Sequence, residues 1–121
     1  MRLRGRLNLP TLRAAWWATR AARTARRQLH DGGLDAVRLP TVPRLPNRAR
    51  PGVTAALRPA SVTCLMRALV VQAWDAAHGR PRDLIIGVTS PKSGFQAHAW
   101  LQDDPPCHSD GFRELTRRPA R

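Results

Sequence analysis

The sequence predicts an α+β fold in which a helix bearing a nucleophilic cysteine packs on a small antiparallel sheet, preceded by an N-terminal helix and a Pro-rich arm. Three observations predict it. Val62, Leu65, Met66, Leu69, Val70, Ala73, Trp74 and Ala77 recur at the spacing of one helical face. Residues 83–89 and 95–102 read as short strands. Five of the eleven prolines fall within residues 40–59 and deny that stretch backbone donors. At 121 residues the chain is sized for one compact domain. Residues 1–59 form its basic helix and arm, and residues 60–121 its catalytic core.

The first helix is expected over residues 11–29, because an alanine- and arginine-rich run begins just after Pro10 and stops at Asp31-Gly32-Gly33. Leu12, Trp16 and Thr19 share one of its faces. Trp16 and Trp17 beside arginines suit a membrane interface, but the simpler expectation is that one Trp packs on the core and arginine stems cover the rest. Residues 34–60 read as irregular, a linker or wrapping arm built around Pro40, Pro43, Pro46, Pro51 and Pro59.

The helix over residues 62–78 has a cap in Ser61 or Thr63 and a stop in Gly79 and Pro81. Asp83 to Thr89 is apolar on both faces, as in a strand covered on both sides. Residues 90–94 make a turn. The strand that follows alternates, with Phe95, Ala97, Ala99 and Leu101 on one face and Gln96, His98, Trp100 and Gln102 on the other. After Asp103-Asp104-Pro105-Pro106, Cys107 to Leu115 is expected to return as a third antiparallel strand.

Charge is the feature that most invites a nucleic-acid reading, since the formal net charge is +13. Its placement argues otherwise. Residues 1–50 carry twelve arginines against two acids, whereas residues 51–121 carry nine basic residues against six acids, so the basic half and the chemical half are separate. A solvated basic face, or a docking surface for an acidic peptide, is the expectation, and no nucleic acid is expected as a partner. Met1 to Arg6 is charged like the start of a signal peptide, yet Arg13, Arg20 and Arg23 interrupt any apolar stretch. No run approaches the ~20 apolar residues of a membrane span. The expectation is a cytoplasmic, reduced protein without integral membrane association, in which Cys64 is a free thiol rather than bonded to Cys107.

The chemistry rests on spacing. Cys64 opens the second helix, His98 follows 34 residues later in a strand, and Asp110 lies twelve residues beyond it. A thiol attacks as its thiolate, which the partial positive charge and free N–H groups of a helix start favour. The same N–H groups serve as an oxyanion hole. The general base must come from another element, and a histidine on a strand beside the helix start supplies it. A hairpin centred on Asp104 sets residues 98 and 110 opposite each other, which ranks Asp110 first as the orienting acid, with Asp103 and Asp104 as alternatives. His30, His78, His98, His108, Cys64 and Cys107 carry metal-ligating atoms, but only Cys107 and His108 are close, and adjacent residues rarely chelate one tetrahedral ion together. No metal and no cofactor is expected.

Cys64-Leu65-Met66-Arg67-Ala68-Leu69, then Leu84-Ile85-Ile86-Gly87-Val88, then Phe95-Gln96-Ala97-His98-Ala99-Trp100-Leu101, together resemble the lasso-peptide biosynthesis B protein family. The resemblance covers roughly residues 60–113 and implies a papain/transglutaminase-like core. It implies a cysteine peptidase that removes the leader from a ribosomally made precursor, with Cys64 as nucleophile, His98 as general base and Asp110 as orienting acid. It also implies partners: the precursor's leader region, a separate leader-recognition protein, and an asparagine-synthetase-like cyclase that acts on the freed core. The chain has no length to spare for a recognition domain, which points to the split arrangement. Acyl transfer to an amine rather than water would use the same triad. The alternative from a different class is a non-catalytic basic interaction protein that binds nucleic acid, a membrane surface or a partner protein.

Overall fold

The computed structural model describes residues 8–89, 97–104 and 112–120. Helix α1 spans Leu9–Gly32, α2 Arg50–Ala56 and α3 Cys64–Ala77; strands β1, β2 and β3 span Leu84–Thr89, Ala97–Leu101 and Phe112–Arg118. This is the α+β architecture that the sequence predicts. The turn at residues 90–94, Phe95, Gln96, Cys107, His108 and Asp110 lie outside the described residues.

α1 begins at a polar cap: the Asn8 side chain accepts a hydrogen bond from the Thr11 N–H, and Pro10 occupies the first turn, where its missing donor costs nothing. Gly33, at φ 77°, ends the helix in the left-handed region. The buried face of α1 is small: Ala14, Ala18, Ala21, Ala22 and Ala25, with Trp17 as its one large side chain. Of Trp16 and Trp17, Trp17 is therefore the one that packs on the core. Leu12 and Trp16 stay exposed.

The arm is more ordered than its prolines imply. Two short 3-10 turns, Leu34–Ala36 and Asn47–Ala49, and the helix α2 replace the expected irregular segment. Pro51 explains the difference, because a proline in the first turn of a helix starts it instead of breaking it. Gly52 then lets α2 approach α1: a Cβ there would stand 2.1 Å from the Thr11 carbonyl oxygen. The Nε1–H of Trp17 donates to the Pro40 carbonyl (3.1 Å) and that of Trp74 to Asn47 Oδ1 (2.9 Å), so both core indoles tie the arm down.

Trp74 is fully buried at the centre, tilted against Trp17 at 6.0 Å and stacked on His78 at 4.3 Å. His78 closes the end of α3, with its ring nitrogens 2.7 Å from the Trp74 carbonyl and 2.8 Å from that of Leu45. One core takes in α1, the arm, α2, α3 and the inner face of the sheet, including Leu84 and Leu101. It joins the N-terminal segment to the C-terminal one.

The sheet departs from expectation in its order, β2-β1-β3, with both outer strands antiparallel to β1. β3 does return antiparallel, but it pairs with β1 and not with β2. The expected pairing of β2 with β3 is thereby corrected, since β1 lies between the two strands. β1 turns Leu84 and Ile86 to the core, and on its other face Ile85 is buried in register with Trp100 of β2.

Candidate active site

Cys64 is the first residue of α3, half-buried and not disulfide-bonded. Thr63 is the cap: its Oγ1 accepts from the Met66 N–H at 3.2 Å, a contribution of about 1 kcal/mol for such residues. The Arg67 N–H bonds back to the Thr63 carbonyl at 3.0 Å. Among the described residues the N–H groups of Cys64 and Leu65 then have no acceptor, and they project past the helix end. A sulfur at this position stands where the helix presents its partial positive charge.

His98 is half-buried on β2, in register with Gly87 of β1, and its Nδ1 lies 3.3 Å from the Ala97 carbonyl. Alternation puts Ala99 and Leu101 against the core and His98 and Trp100 on the other face. Among the described strands β2 is an outer one. Among the described residues no hydrogen bond joins the imidazole to the Cys64 thiol.

The two residues nevertheless belong to the same end of the molecule. β1 runs back from the end of α3 and β2 returns antiparallel to it, so β2 and α3 point the same way. Arg82 fixes their common level by bonding Asp75 of α3, the Gln102 carbonyl at 3.4 Å and the Asp104 carboxylate at 2.8 Å. Eleven residues of helix back from Asp75 to Cys64 cover ~16 Å. Four residues of strand back from Gln102 to His98 cover ~13 Å.

The same arithmetic separates the acids. Asp104 is committed to Arg82 at the far end of α3, and Asp103 sits beside it in the turn at φ 73°. Asp110 is outside the described residues. Among the described residues the acid that shares a row with His98 is Glu114, in register with Gly87 from the other side. It lies two strand spacings away, roughly 10 Å, and is bonded to Arg117 at 2.6 Å. Between them the Trp100 ring covers Gly87, where a Cβ would meet its Cη2 at 2.7 Å. Gly87 therefore makes room for an indole beside the histidine, a contact that residue spacing alone did not reveal.

The charged cluster at the other end of α3 also escaped sequence reasoning. Asp75 is 1% exposed and takes Arg50 Nε at 3.0 Å on one oxygen and Arg82 Nη2 on the other. Burial alone would push its carboxyl up, but hydrogen bonds from Arg50 and Arg82 outweigh that and hold it below the usual carboxylate range. One signal was available. Asp75 is the only acid in an otherwise largely apolar helix, and a buried acid must be paired. A groove of about 400 Å³ opens between Leu39, Val42 and the Leu69, Ala73 and Ala76 face of α3.

A cysteine opening a buried helix, packed on a small antiparallel sheet with a histidine on an outer strand, makes an α+β arrangement of the transglutaminase-like kind. The chain belongs to the Transglutaminase-like superfamily, whose model matches residues 6–118. That superfamily includes cysteine peptidases and acyltransferases. No curated protein and no solved structure matches the chain. Among the described residues, no helix is long and apolar enough to cross a membrane.

Proposed function

We propose that the chain is the leader peptidase of a lasso-peptide pathway. The observation that carries the catalytic part is Cys64 as the first residue of α3 in a chain of this superfamily. The substrate rests on the likeness of residues 64–69, 84–88 and 95–101 to the lasso-peptide B proteins.

In this reading the Cys64 sulfur attacks the carbonyl that joins leader to core, and the N–H groups of Cys64 and Leu65 hold the oxyanion. His98 takes the thiol proton and delivers it to the departing core amine, which leaves the leader as a thioester on Cys64. His98 then draws a proton from water, the thioester is hydrolysed, and the leader departs as a carboxylate. Asp110 orients the imidazole. A separate leader-recognition protein presents the precursor, and an asparagine-synthetase-like cyclase uses the freed amine.

The test is to incubate precursor with the chain and its recognition partner and to follow masses. The expected products are leader and core whose masses sum to precursor plus one water, with cleavage stopped by iodoacetamide at Cys64. An intact precursor, or full activity after Cys64 is alkylated, would overturn the reading.

A further inference from the structure

α1 has a second face that neither the core nor the proposed reaction uses. Leu9, Leu12, Trp16, Arg20, Arg23 and Arg27 recur at intervals of three and four residues and so form one stripe along the helix. All six are exposed, and three are large apolar side chains: Leu9 at 68%, Leu12 at 49% and Trp16 at 68%. Among the described residues Arg20, Arg23 and Arg27 make no hydrogen bond or ion pair, in contrast to Arg26, which is tied to the Ser61 carbonyl. No acid occurs in the first thirty residues, and Arg2, Arg4 and Arg6 precede the apolar patch in the sequence. An apolar centre is thus flanked along the chain by cations of one sign.

We propose that this face of α1 docks peripherally on an anionic lipid bilayer. An indole and two leucines on an exposed helix face match the boundary between headgroups and acyl chains, and the unpaired Arg20, Arg23 and Arg27 that continue the stripe match a sheet of lipid phosphates. Duplex nucleic acid would engage the arginines but leave Leu9, Leu12 and Trp16 in water. A folded partner would have to offer a carboxylate for each arginine in register, with no acid on this side to take any cation of its own. A bilayer requires no such register. The proposal is independent of the peptidase reading, so either can fail alone.

The full chain should sediment with vesicles of phosphatidylglycerol mixed with phosphatidylcholine and not with phosphatidylcholine alone, and rising salt should release it. A net charge of +13 will attract any polyanion, so the deciding comparison is Leu12→Ser combined with Trp16→Ala, which leaves the charge intact. That variant should bind the anionic vesicles about tenfold or more weakly while unfolding at an unchanged temperature. As a second readout, brominated phosphatidylglycerol should quench a part of the tryptophan emission that is absent from Trp16→Phe. Equal vesicle binding by the double variant, or no sedimentation of the wild type at low salt, overturns the proposal. So does a loss confined to duplex DNA or polyglutamate binding, which would assign the face to nucleic acid or to an acidic partner.

Discussion

Replacing Cys64 by alanine is expected to lower precursor cleavage by at least about a thousandfold while leaving the fold intact. The two halves of that expectation have separate causes. The sulfur is the only atom in the proposed sequence that forms a bond to the acyl group, so nothing can take over its role when it is removed. The fold does not depend on it, because the start of α3 is held by Thr63 through Met66 and Arg67, and the core behind it by Met66, Leu69 and Val70. Cys64 is only half-buried, and alanine is a better helix former. Cleavage would be followed by mass spectrometry and the fold by thermal unfolding. A variant that unfolds early would show that Cys64 is a packing residue; a variant that cleaves normally would remove it from the chemistry.

The largest expected effect on stability lies at the other end of the same helix. Asp75→Ala should destabilise the protein by about 3–5 kcal/mol, because the nearly buried Arg82 loses its buried partner and keeps only the largely exposed Asp104 carboxylate as counter-charge. For a domain of this size that lowers the unfolding temperature by roughly 10–20 °C. Arg50 loses its partner as well but is about one-third exposed, so water recovers part of its solvation. The pH dependence follows from the same group. Asp75 has a folded-state pKa below its unfolded value, so its contribution is fully present above the unfolded carboxylate range and is lost as pH falls through the folded pKa. Thermal unfolding measured from neutral to acid pH should show the wild type losing this increment. Asp75→Ala should be less stable at neutral pH and should lack that part of the acid slope. Equal stability of the two proteins at neutral pH would mean that the cluster is energetically idle.

Legibility in the sequence followed locality. α3 and the strands β1 and β2 were readable because burial imposes a period of 3.6 or 2 on neighbouring residues, and Val62 to Ala77 and Phe95 to Gln102 carry those periods plainly. Placing Cys64 at a helix start needed only the cap and the apolar stripe after it. α2 was not readable, because Pro51 looks like a breaker until it is known to lie in a first turn and because Gly52 acts through a contact with Thr11 far back in the chain. The order of the sheet is likewise non-local. Consecutive strands usually pair, and the residues of β3 say nothing of whether β1 or β2 will receive them. The expectation that β3 would pair with β2 failed for that reason, while the expectation of a third antiparallel strand held. Asp75 and Trp100 share a different difficulty: each is defined by what it touches, Arg50 and Arg82 in one case and Gly87 in the other.

The central claim is that the acyl group of the substrate passes through Cys64, and hydroxylamine tests it most directly. Hydroxylamine attacks a thioester in competition with water, so the wild type cleaving precursor in its presence should release leader as the hydroxamate in place of the carboxylate, at a rising fraction as hydroxylamine is raised. The mass of the leader distinguishes the two products. Leader released only as the carboxylate at saturating hydroxylamine, with core formed at the normal rate, would contradict a thioester on Cys64 and with it the account given of this site.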